Sequence, residues 1–254
     1  MNNIFVEEFI KDAKLNNIDI GCSGDRIVEI IKENKIYFLK ETISGKLDKE
    51  YFLLNWLKDK LPVPEIVYFS TDKEKSYLIT RKLSGEMICC DEIFDYPEKV
   101  IPLAADSLKI LESVDISGCP IINNIDIKLA IAKHNMEMNL IKPENMEKET
   151  KNKFKTIEAV YKYLVENKPE EQLCFSHGDL SLPNIFYKDD EISGFLDLGD
   201  AGIADYWYDI AILVKSIRRN YEDVKYEKML FDCLNVEPDY NKIEYYILLT
   251  ELFL

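Results

Sequence analysis

Residues 174–200 read "CFSHGDLSLPNIFYKDDEISGFLDLGD", in which strand-like apolar runs alternate with turn-forming residues. Three groups in this stretch can hold a metal or a proton, namely Asp179, Asn184 and Asp197. Burying a neutral amide without a partner costs roughly 2–7 kcal/mol, and burying an unpaired charge costs far more. The stretch therefore predicts a site in which a bound ligand compensates for these polar groups.

The order of the three residues indicates how such a site is arranged. Asp179 and Asn184 lie on one predicted loop between two strands, and Asp197 lies on the strand that returns after a tight hairpin. We expect Asn184 and Asp197 to face each other across roughly 5 Å. Their oxygens suit Mg²⁺, which commonly shares its ligands with phosphate. Asp179 is then placed to accept a proton from a substrate hydroxyl.

The spacing D-x-x-x-x-N followed by D-x-G is the layout of a protein-kinase-type catalytic loop and metal-binding strand. Each residue also has an ordinary structural explanation, as a helix-capping aspartate, a turn asparagine and an exposed strand aspartate. Three such residues in this order favour the kinase-type site over these separate explanations. The interpretation also requires a strand lysine that reaches the nucleotide phosphates and a helix glutamate that holds the lysine.

The N-terminal part of the chain offers both of these residues. "IYFLK" ends in Lys40, and the following predicted helix contains Glu50. Phe38 shares a strand face with Lys40 and is placed to pack on a nucleotide base. Phe186 and Leu196 are candidates for the opposite side of the base, although ordinary core packing explains both equally well.

A glycine-containing loop precedes these strands. "GCSGDR", residues 21–26, occupies the position of a phosphate-covering loop, so Ser23 and Gly24 are candidate nucleotide contacts. The segment is not a full G-x-G-x-x-G motif, and alone it indicates only a turn.

Hydrophobic patterning divides the chain into two predicted parts, 1–84 and 85–254. The first part has short alternating runs that favour an antiparallel sheet, with one inserted helix at 47–61. The second part is mainly helical and contains three short strands. The expected helices are 97–114, 125–141, 151–167, 205–219, 222–234 and 239–253, and the expected strands are 173–176, 185–188 and 192–198. The predicted fold class is α+β, with a small sheet-rich lobe, a larger helical lobe and a ligand cleft between them.

Composition limits the function classes. The chain has 254 residues, is 47% hydrophobic and carries a net charge of −15, which argues against nucleic-acid and anionic-membrane partners. No apolar run approaches the roughly 18–20 residues that span a bilayer. The N-terminal stretch predicts an amphipathic surface helix rather than a signal peptide, so we expect a soluble, cytoplasmic protein.

The cysteines and histidines favour neither a disulfide framework nor zinc. Six dispersed cysteines are most simply reduced thiols, and a redox role for the Cys89–Cys90 pair is less favoured. Only His134 and His177 are available as histidine ligands.

Together, these residues resemble the aminoglycoside phosphotransferases, a family of antibiotic kinases with a protein-kinase-like fold. The similarity runs nearly end to end and is strongest to the subgroup that acts on the 3′-hydroxyl. It is carried by "FSHGDL" with Asn184, "SGFLDLG", "ADYWYDIA", "WLKDKLPVP", "NKPEE" and "YYILLTELF".

The resemblance implies a role for each matching residue. Asp179 would be the catalytic base, Asn184 and Asp197 would bind Mg²⁺, and Lys40 with Glu50 would position the phosphates of ATP or GTP. The family also implies structural roles for His177 and Asp209. Backbone groups around Arg81 to Leu83 would meet the purine edge.

The acceptor side is where the sequence departs from the subgroup. Asp200 stands where arginine is usual, Thr250 replaces an antibiotic-binding carboxylate, and Leu254 extends the C-terminus. Glu149 and Glu251 remain at matching acidic positions, and Phe253 lies in the same terminal segment. The resemblance therefore assigns Glu149, Asp200, Glu251 and Phe253 to the acceptor, with an uncertain drug spectrum.

These observations predict a magnesium-dependent kinase that phosphorylates an aminoglycoside, with the 3′-hydroxyl as the expected position. The acidic net charge suits a cationic acceptor, and we expect a monomer or weak dimer. The alternative within the class is a kinase of choline, a macrolide or a cationic peptide antibiotic. A nucleotide-binding pseudokinase scaffold is disfavoured, because the base and both proposed metal ligands are present.

Overall fold

The computed structural model describes residues 3–18 and 25–253, apart from the side chain of Asn145. Ser23 and Gly24, the two residues expected on the phosphate-covering loop, lie outside the described residues, as does Leu254. Among the described residues, no helix has the length and apolarity needed to cross a membrane.

The N-terminal lobe is a five-stranded antiparallel sheet with two helices. In chain order its elements are α1 (Ile4–Ile10), β1 (Lys14–Ile18), β2 (Arg26–Lys32), β3 (Lys35–Ile43), α2 (Asp48–Leu57), β4 (Ile66–Thr71) and β5 (Lys75–Arg81). The strand order across the sheet is β1-β2-β3-β5-β4. The turn between β2 and β3 uses Glu33 and Asn34, both with positive φ, as a tight two-residue hairpin turn requires.

The two faces of this sheet bury different partners. Val6 of α1 packs with Val28, Ile30 and Leu39 in a small separate core. Because strand side chains alternate, the neighbours of Leu39 on β3, Phe38 and Lys40, point to the opposite face. That face meets α2, whose buried leucines belong to the large core of the molecule. The alternation in β3 therefore directs Lys40 toward the cleft.

The C-terminal lobe is mainly helical, as the sequence predicts. Its first elements are β6 (Glu86–Met87), α3 (Asp91–Phe94), α4 (Pro97–Glu112), α5 (Ile125–Glu137), α6 (Lys148–Phe154) and α7 (Ile157–Glu166). They are followed by β7 (Leu173–Ser176), β8 (Ile185–Lys188), β9 (Glu191–Phe195), β10 (Gly202–Asp205), α8 (Tyr206–Asn220), α9 (Lys225–Leu234) and α10 (Tyr240–Thr250). The strands form two small sheets, β10-β7 and β6-β8-β9.

The predicted single helix over 151–167 is wrong, because two helices occupy this region. α6 ends where Lys155 adopts a left-handed backbone with φ 62°, which a continuous helix cannot contain. The side chain of Thr156 then accepts the Ala159 amide and caps the start of α7.

The start of α4 resolves an alternative that the sequence leaves open. The sequence allows Pro102 either to kink this helix or to mark its start. The helix begins at Pro97, where a missing N–H costs nothing because first-turn amides have no helical partner. Pro102 lies inside the helix.

Candidate active site

Asp209, a residue of α8, binds the backbone of the loop between β7 and β8. The Asp209 carboxylate, 3% exposed, accepts the backbone N–H groups of His177 at 2.6 Å and Gly178 at 3.0 Å. Burial raises the pKa of Asp209, although His177 and these two amides oppose the rise. Asp209 therefore fixes the backbone immediately before Asp179.

His177 connects this loop to the segment after β9. Its ring is fully buried, and Nε2 lies 2.8 Å from the Leu196 carbonyl oxygen. Nδ1 accepts the Asp179 N–H at 3.3 Å, so the donor to Leu196 is Nε2–H of a neutral ring. Burial lowers the pKa of His177, which favours the same neutral form. The side chain has a positioning role and does not face the cleft.

Position 178 requires glycine because the backbone of Asp200 lies too close to leave room for a side chain. Its φ is +84°, and a Cβ at this position would lie 2.0 Å from the carbonyl oxygen of Asp200. That oxygen also accepts a hydrogen bond from Asn123 Nδ2 at 2.7 Å. The loop that carries Asp179 therefore packs directly on the segment that carries Asp200.

Asp179 and Asn184 are in direct contact. Asn184 Nδ2 donates to the Asp179 carboxylate at 3.0 Å and to the Asp179 carbonyl oxygen at 2.8 Å. The pKa of Asp179 is raised to about 6, first by desolvation and then by the negative charge of Asp197. The Asp179 side chain still reaches solvent, so an incoming hydroxyl has access to it.

The expectation that Asn184 and Asp197 face each other across a strand pair is wrong. β9 ends at Phe195, and the Leu196 N–H donates to the Asn184 carbonyl oxygen at 2.9 Å, so Leu196 is the residue opposite Asn184. Asp197 follows with a left-handed backbone, φ 57° and ψ 57°. This conformation places Asp197 beyond the hairpin, where its side chain meets Lys40.

Lys40, Glu50 and Asp197 form one ion-pair group. Lys40 Nζ lies 2.9 Å from Glu50 Oε1, 3.1 Å from Glu50 Oε2 and 3.0 Å from Asp197 Oδ1. Burial lowers the pKa of Lys40, but the two carboxylates more than reverse this effect and leave it raised overall. Burial raises the pKa of Glu50, which Lys40 opposes. The group links β3, α2 and the segment after β9.

The residues expected to hold Mg²⁺ fit that ion chemically. Because the Asn184 amide nitrogen points to Asp179, its carbonyl oxygen is left for another partner. Only one oxygen of Asp197 contacts Lys40, and the side chain is largely exposed. Within the described residues no group of three or more His, Cys, Asp or Glu side chains is arranged to hold a metal. Mg²⁺ is commonly bound by one or two protein oxygens, with phosphate and water supplying its other ligands.

The candidate nucleotide residues lie around the connector that follows β5. Phe186 of β8 is buried, and Leu83 packs against Gly194, where a Cβ would lie 2.7 Å from a Leu83 methyl carbon. The Arg81 and Lys82 amides donate within the N-terminal lobe, to Glu65 and Ile36 carbonyl oxygens. The Arg81 N–H is therefore not available to a purine edge, contrary to the expectation for this residue.

Two adjoining cavities lie beside the residues that the sequence assigns to the acceptor. One, of about 610 Å³, is lined by Asp179, Asp200 and Phe253. The second, of about 850 Å³, is lined by Glu149, Glu251 and again Phe253. The structure thus brings Asp200 and Phe253 to the cavity of Asp179, while Glu149 and Glu251 lie on the neighbouring one.

Glu251 is also tied to the protein itself. Its carboxylate accepts the Glu147 N–H at 3.0 Å and the Thr150 hydroxyl at 2.5 Å, both at the start of α6. Glu251, which the resemblance assigns to the acceptor, therefore also binds the start of α6.

Sequence reasoning missed the positive charges in the cavity of Asp179. Lys128, Lys215 and Arg219 line it together with Tyr208. A signal exists for Lys128, since it falls three residues after Ile125 on the apolar stripe of α5, where a charged residue is unexpected. The two residues of α8 carry no comparable signal.

A two-lobed fold whose cleft holds a lysine–glutamate pair, an aspartate and an asparagine defines the protein-kinase-like class. The chain belongs to the phosphotransferase enzyme family, a model of which matches residues 26–232.

Two relatives are aminoglycoside 3′-phosphotransferases. The one from Enterococcus faecalis is 40% identical over 243 residues, covering 92% of this chain and 91% of the relative. The one from Staphylococcus aureus is 41% identical over 243 residues, with the same coverage of both chains.

Solved structures show the same fold. An aminoglycoside-3′-phosphotransferase of type VIII superposes with a TM-score of 0.87 at 20% identity, covering 98% of this chain and 97% of that chain. The aminoglycoside phosphotransferase APH(3′′)-Id from Streptomyces rimosus, in complex with ADP and streptomycin, gives a TM-score of 0.76 at 18% identity over 99% of both chains.

Proposed function

We propose that this protein transfers the γ-phosphoryl group of ATP or GTP to the 3′-hydroxyl of an aminoglycoside. The proposal rests on two sets of contacts in the site. Lys40 forms ion pairs with both Glu50 and Asp197, and Asn184 donates a hydrogen bond to Asp179. The relatives named above supply the acceptor, because the similar chains are aminoglycoside 3′-phosphotransferases. These names do not favour choline, a macrolide or a peptide antibiotic.

On the nucleotide side, Lys40 is held by Glu50 and presents its ammonium to the phosphates. Phe38 and Phe186 are the proposed contacts of the base, with Leu83 and Leu196 beside them. Ser23 and Gly24 would cover the phosphates. We assign residues 1–84 to a nucleotide-binding lobe and residues 85–254 to a catalytic and substrate-binding lobe, which also contributes Phe186 and Leu196 to the base.

Asn184 and Asp197 would hold Mg²⁺. The ion would supply neutralisation of the phosphate charge and would help to orient the transferred group. Lys40, placed at the same carboxylate, adds a second positive charge near the phosphates. The protein therefore positions the donor largely through charge.

Asp179 is the proposed base. The Asn184 amide and the His177–Asp209 framework hold its position. Its raised pKa makes it a better proton acceptor than an ordinary carboxylate, while it stays mainly ionised at neutral pH. It would orient the acceptor hydroxyl and take its proton as the phosphoryl group is transferred.

On the acceptor side, Asp200, Phe253, Glu149 and Glu251 line the two adjoining cavities, and we propose that the drug occupies both. The expected monomer or weak dimer and the cytoplasmic location remain predictions.

The test is phosphorylation of kanamycin by the purified protein with ATP or GTP and Mg²⁺, with the product position determined by NMR. Asp179→Asn should lower kcat by roughly 10²–10⁴-fold with little change in nucleotide affinity. An activity loss below about threefold would show that Asp179 is not the base. Absence of phosphorylation across kanamycin, neomycin, gentamicin and amikacin would contradict the proposed function.

A further inference from the structure

Lys128 is a buried cation without a carboxylate partner. The residue is 3% exposed and lines the cavity of Asp179, and no hydrogen bond or ion pair within 4 Å joins its ammonium to another described residue. Among the described residues no fully enclosed side-chain nitrogen lacks a hydrogen-bond partner, so Lys128 Nζ keeps some access to the cavity. Its Nζ instead lies 3.7 Å from the ring centroid of Tyr208 and 5.8 Å from that of Phe253. A buried charge without a partner is unfavourable, and a cation–π contact offsets only part of that cost.

Lys128 lies where a bound acceptor can contact its ammonium. Lys128, Tyr208 and Phe253 line the same cavity as Asp179, the proposed base. The acceptor hydroxyl must enter this cavity to reach Asp179. The Lys128 side chain therefore shares the cavity that the acceptor must enter.

The remaining charges of the cavity do not neutralise Lys128 by direct contact. Asp200 favours its charged form, but from beyond ion-pair distance. Lys215 and Arg219 add two further cations to the lining, and only Lys215 is paired, with Glu147 at 3.3 Å. Arg219 has no ion pair among the described residues.

The protonation state of Lys128 is compatible with a charged role. Burial lowers the pKa of Lys128 to about 8, and Asp200 and Asp209 limit the fall. A lysine with this pKa is still mostly protonated at pH 7, so it can donate to an oxygen.

We propose that Lys128 is a specificity-determining residue that donates a hydrogen bond to an acceptor hydroxyl near the phosphorylated one and disfavours an ammonium there. This inference rests on the proposed function. An oxygen at that position gives a hydrogen-bond partner to a largely buried donor that opens to the cavity. An ammonium brings two cations together in a partly dry cavity, where their repulsion is stronger than in water. Selection thus includes a repulsive element against the amine-bearing acceptor.

Matched drug pairs test the proposal directly. Kanamycin A and kanamycin B differ only in a hydroxyl or an amine at the 2′ position, next to the 3′-hydroxyl. Paromomycin and neomycin differ in the same way at the 6′ position of that ring. The measurement is kcat/KM at pH 7 for all four drugs, with product positions assigned by NMR.

We expect the wild-type protein to favour the hydroxyl-bearing member of at least one pair by about tenfold or more, since one lost contact of this kind commonly has that effect. Lys128→Met should reduce the preference to below about threefold, while Lys128→Arg should keep it. Lys133→Met is the matched control, because Lys133 lies on the same helix, is exposed and, in the part of the chain that the structure describes, has a single ion pair, with Glu137 at 3.7 Å. The control should keep the wild-type ratio.

The outcomes separate this inference from the proposed function. Phosphorylation of all four drugs without a preference for hydroxyl would overturn the role of Lys128 and leave the kinase activity in place. An unchanged preference in a folded Lys128→Met protein would also overturn it. If Lys128→Met fails to fold, the wild-type ratios decide the question. Failure to phosphorylate any of the drugs would overturn both proposals.

Discussion

Asp179 combines access to solvent with an environment that disfavours its negative charge. Its pKa is raised from an ordinary value of 3.8 to about 6, mainly by desolvation and next by Asp197. Mg²⁺ on Asp197 would weaken the effect of that negative charge on the Asp179 pKa and leave the effect of desolvation in place. We therefore expect the carboxylate in the working enzyme to titrate between 3.8 and about 6.

This expectation sets the direction of a pH profile. A base must be deprotonated, so kcat/KM for the acceptor should fall tenfold per pH unit below the Asp179 pKa and level off above it. Stopped assays from pH 4.5 to 8 with saturating nucleotide and Mg²⁺ measure the profile, with circular dichroism to show that the fold persists. Constant kcat/KM down to pH 4.5 in a folded protein would show that desolvation does not raise the Asp179 pKa appreciably in the working enzyme.

Asp197 connects metal binding with the lysine of the other lobe. Asp197→Ala removes the one carboxylate of the proposed metal pair and one of the two carboxylates on Lys40. We expect loss of activity that excess Mg²⁺ barely restores, because Asn184 and water alone hold a hard dication weakly. Titration of activity with Mg²⁺ measures the effect.

Asp197→Asn serves as the comparison, since it keeps the size of the side chain. It should recover part of the Mg²⁺ response that Asp197→Ala loses. Because the side chain is largely exposed, both variants should unfold at nearly the wild-type temperature. A large loss of thermal stability without metal would identify Asp197 as a structural residue instead.

At the level of single residues, the sequence identifies the site well because its chemistry is local. Asp179 and Asn184 are five residues apart on one loop, so the sequence predicts both at the site. Their direct contact is a finding of the structure, because the sequence pairs Asn184 with Asp197 instead. The left-handed backbone of Asp197 could not be read from its neighbours, since the D-L-G segment predicts a continued strand. Lys128 was missed because its importance depends on Tyr208 and Phe253, which lie at least 80 residues away in the chain.

At the scale of secondary-structure elements, the start of α6 is bound by a side chain about 100 residues away in the chain. Glu251, just after α10, accepts the Glu147 N–H and the Thr150 hydroxyl at the start of α6. First-turn amides of a helix have no partner within the helix, so this carboxylate provides the cap. It also adds negative charge at the positive end of the helix dipole.

Thr150→Val tests this cap without changing any charge. We expect the free energy of unfolding to fall by about 1–3 kcal/mol, because a hydrogen bond to an ionised group is lost from a buried side chain. Urea denaturation measures the loss. Asn152→Ser on the same helix is the control, since that side chain is uncharged and exposed and has no hydrogen bond among the described residues.

Glu251→Gln then separates capping from drug binding. If Glu251 also contacts the acceptor, Glu251→Gln should raise the aminoglycoside KM by about one to two decades, while Thr150→Val changes it far less. Equal KM values for the two variants would leave Glu251 with the capping role alone.

The sequence predicts elements best where periodicity is strong and turns are tight. The Asp189–Asp190 turn between β8 and β9 has positive φ at both residues, as the polar "KDDE" segment suggests. The break between α6 and α7 was missed because Lys155 is an ordinary helix former without a glycine or proline beside it. The local feature at the break is Thr156, whose side chain accepts the Ala159 amide and caps the start of α7.

At the scale of the whole molecule, long-range and short-range charge act in opposite directions. The chain carries a net charge of −15, which favours the approach of a polycation from any side. Close to Asp179, however, three cations line the cavity. The surface thus attracts the drug, and the cavity determines which part of the drug enters.

Salt should separate these two contributions. Raising the ionic strength from 0.1 M to 1 M shortens the Debye length from about 10 Å to about 3 Å, which screens the surface field and leaves contacts inside the cavity largely unscreened. We expect kcat/KM for kanamycin A to fall by about tenfold over this range. Neomycin carries more amines and should show a steeper fall, whereas the ratio between kanamycin A and kanamycin B should change little. If kcat/KM for both drugs is independent of salt, the acidic surface makes no contribution to substrate capture, and the net charge of the chain serves solubility alone.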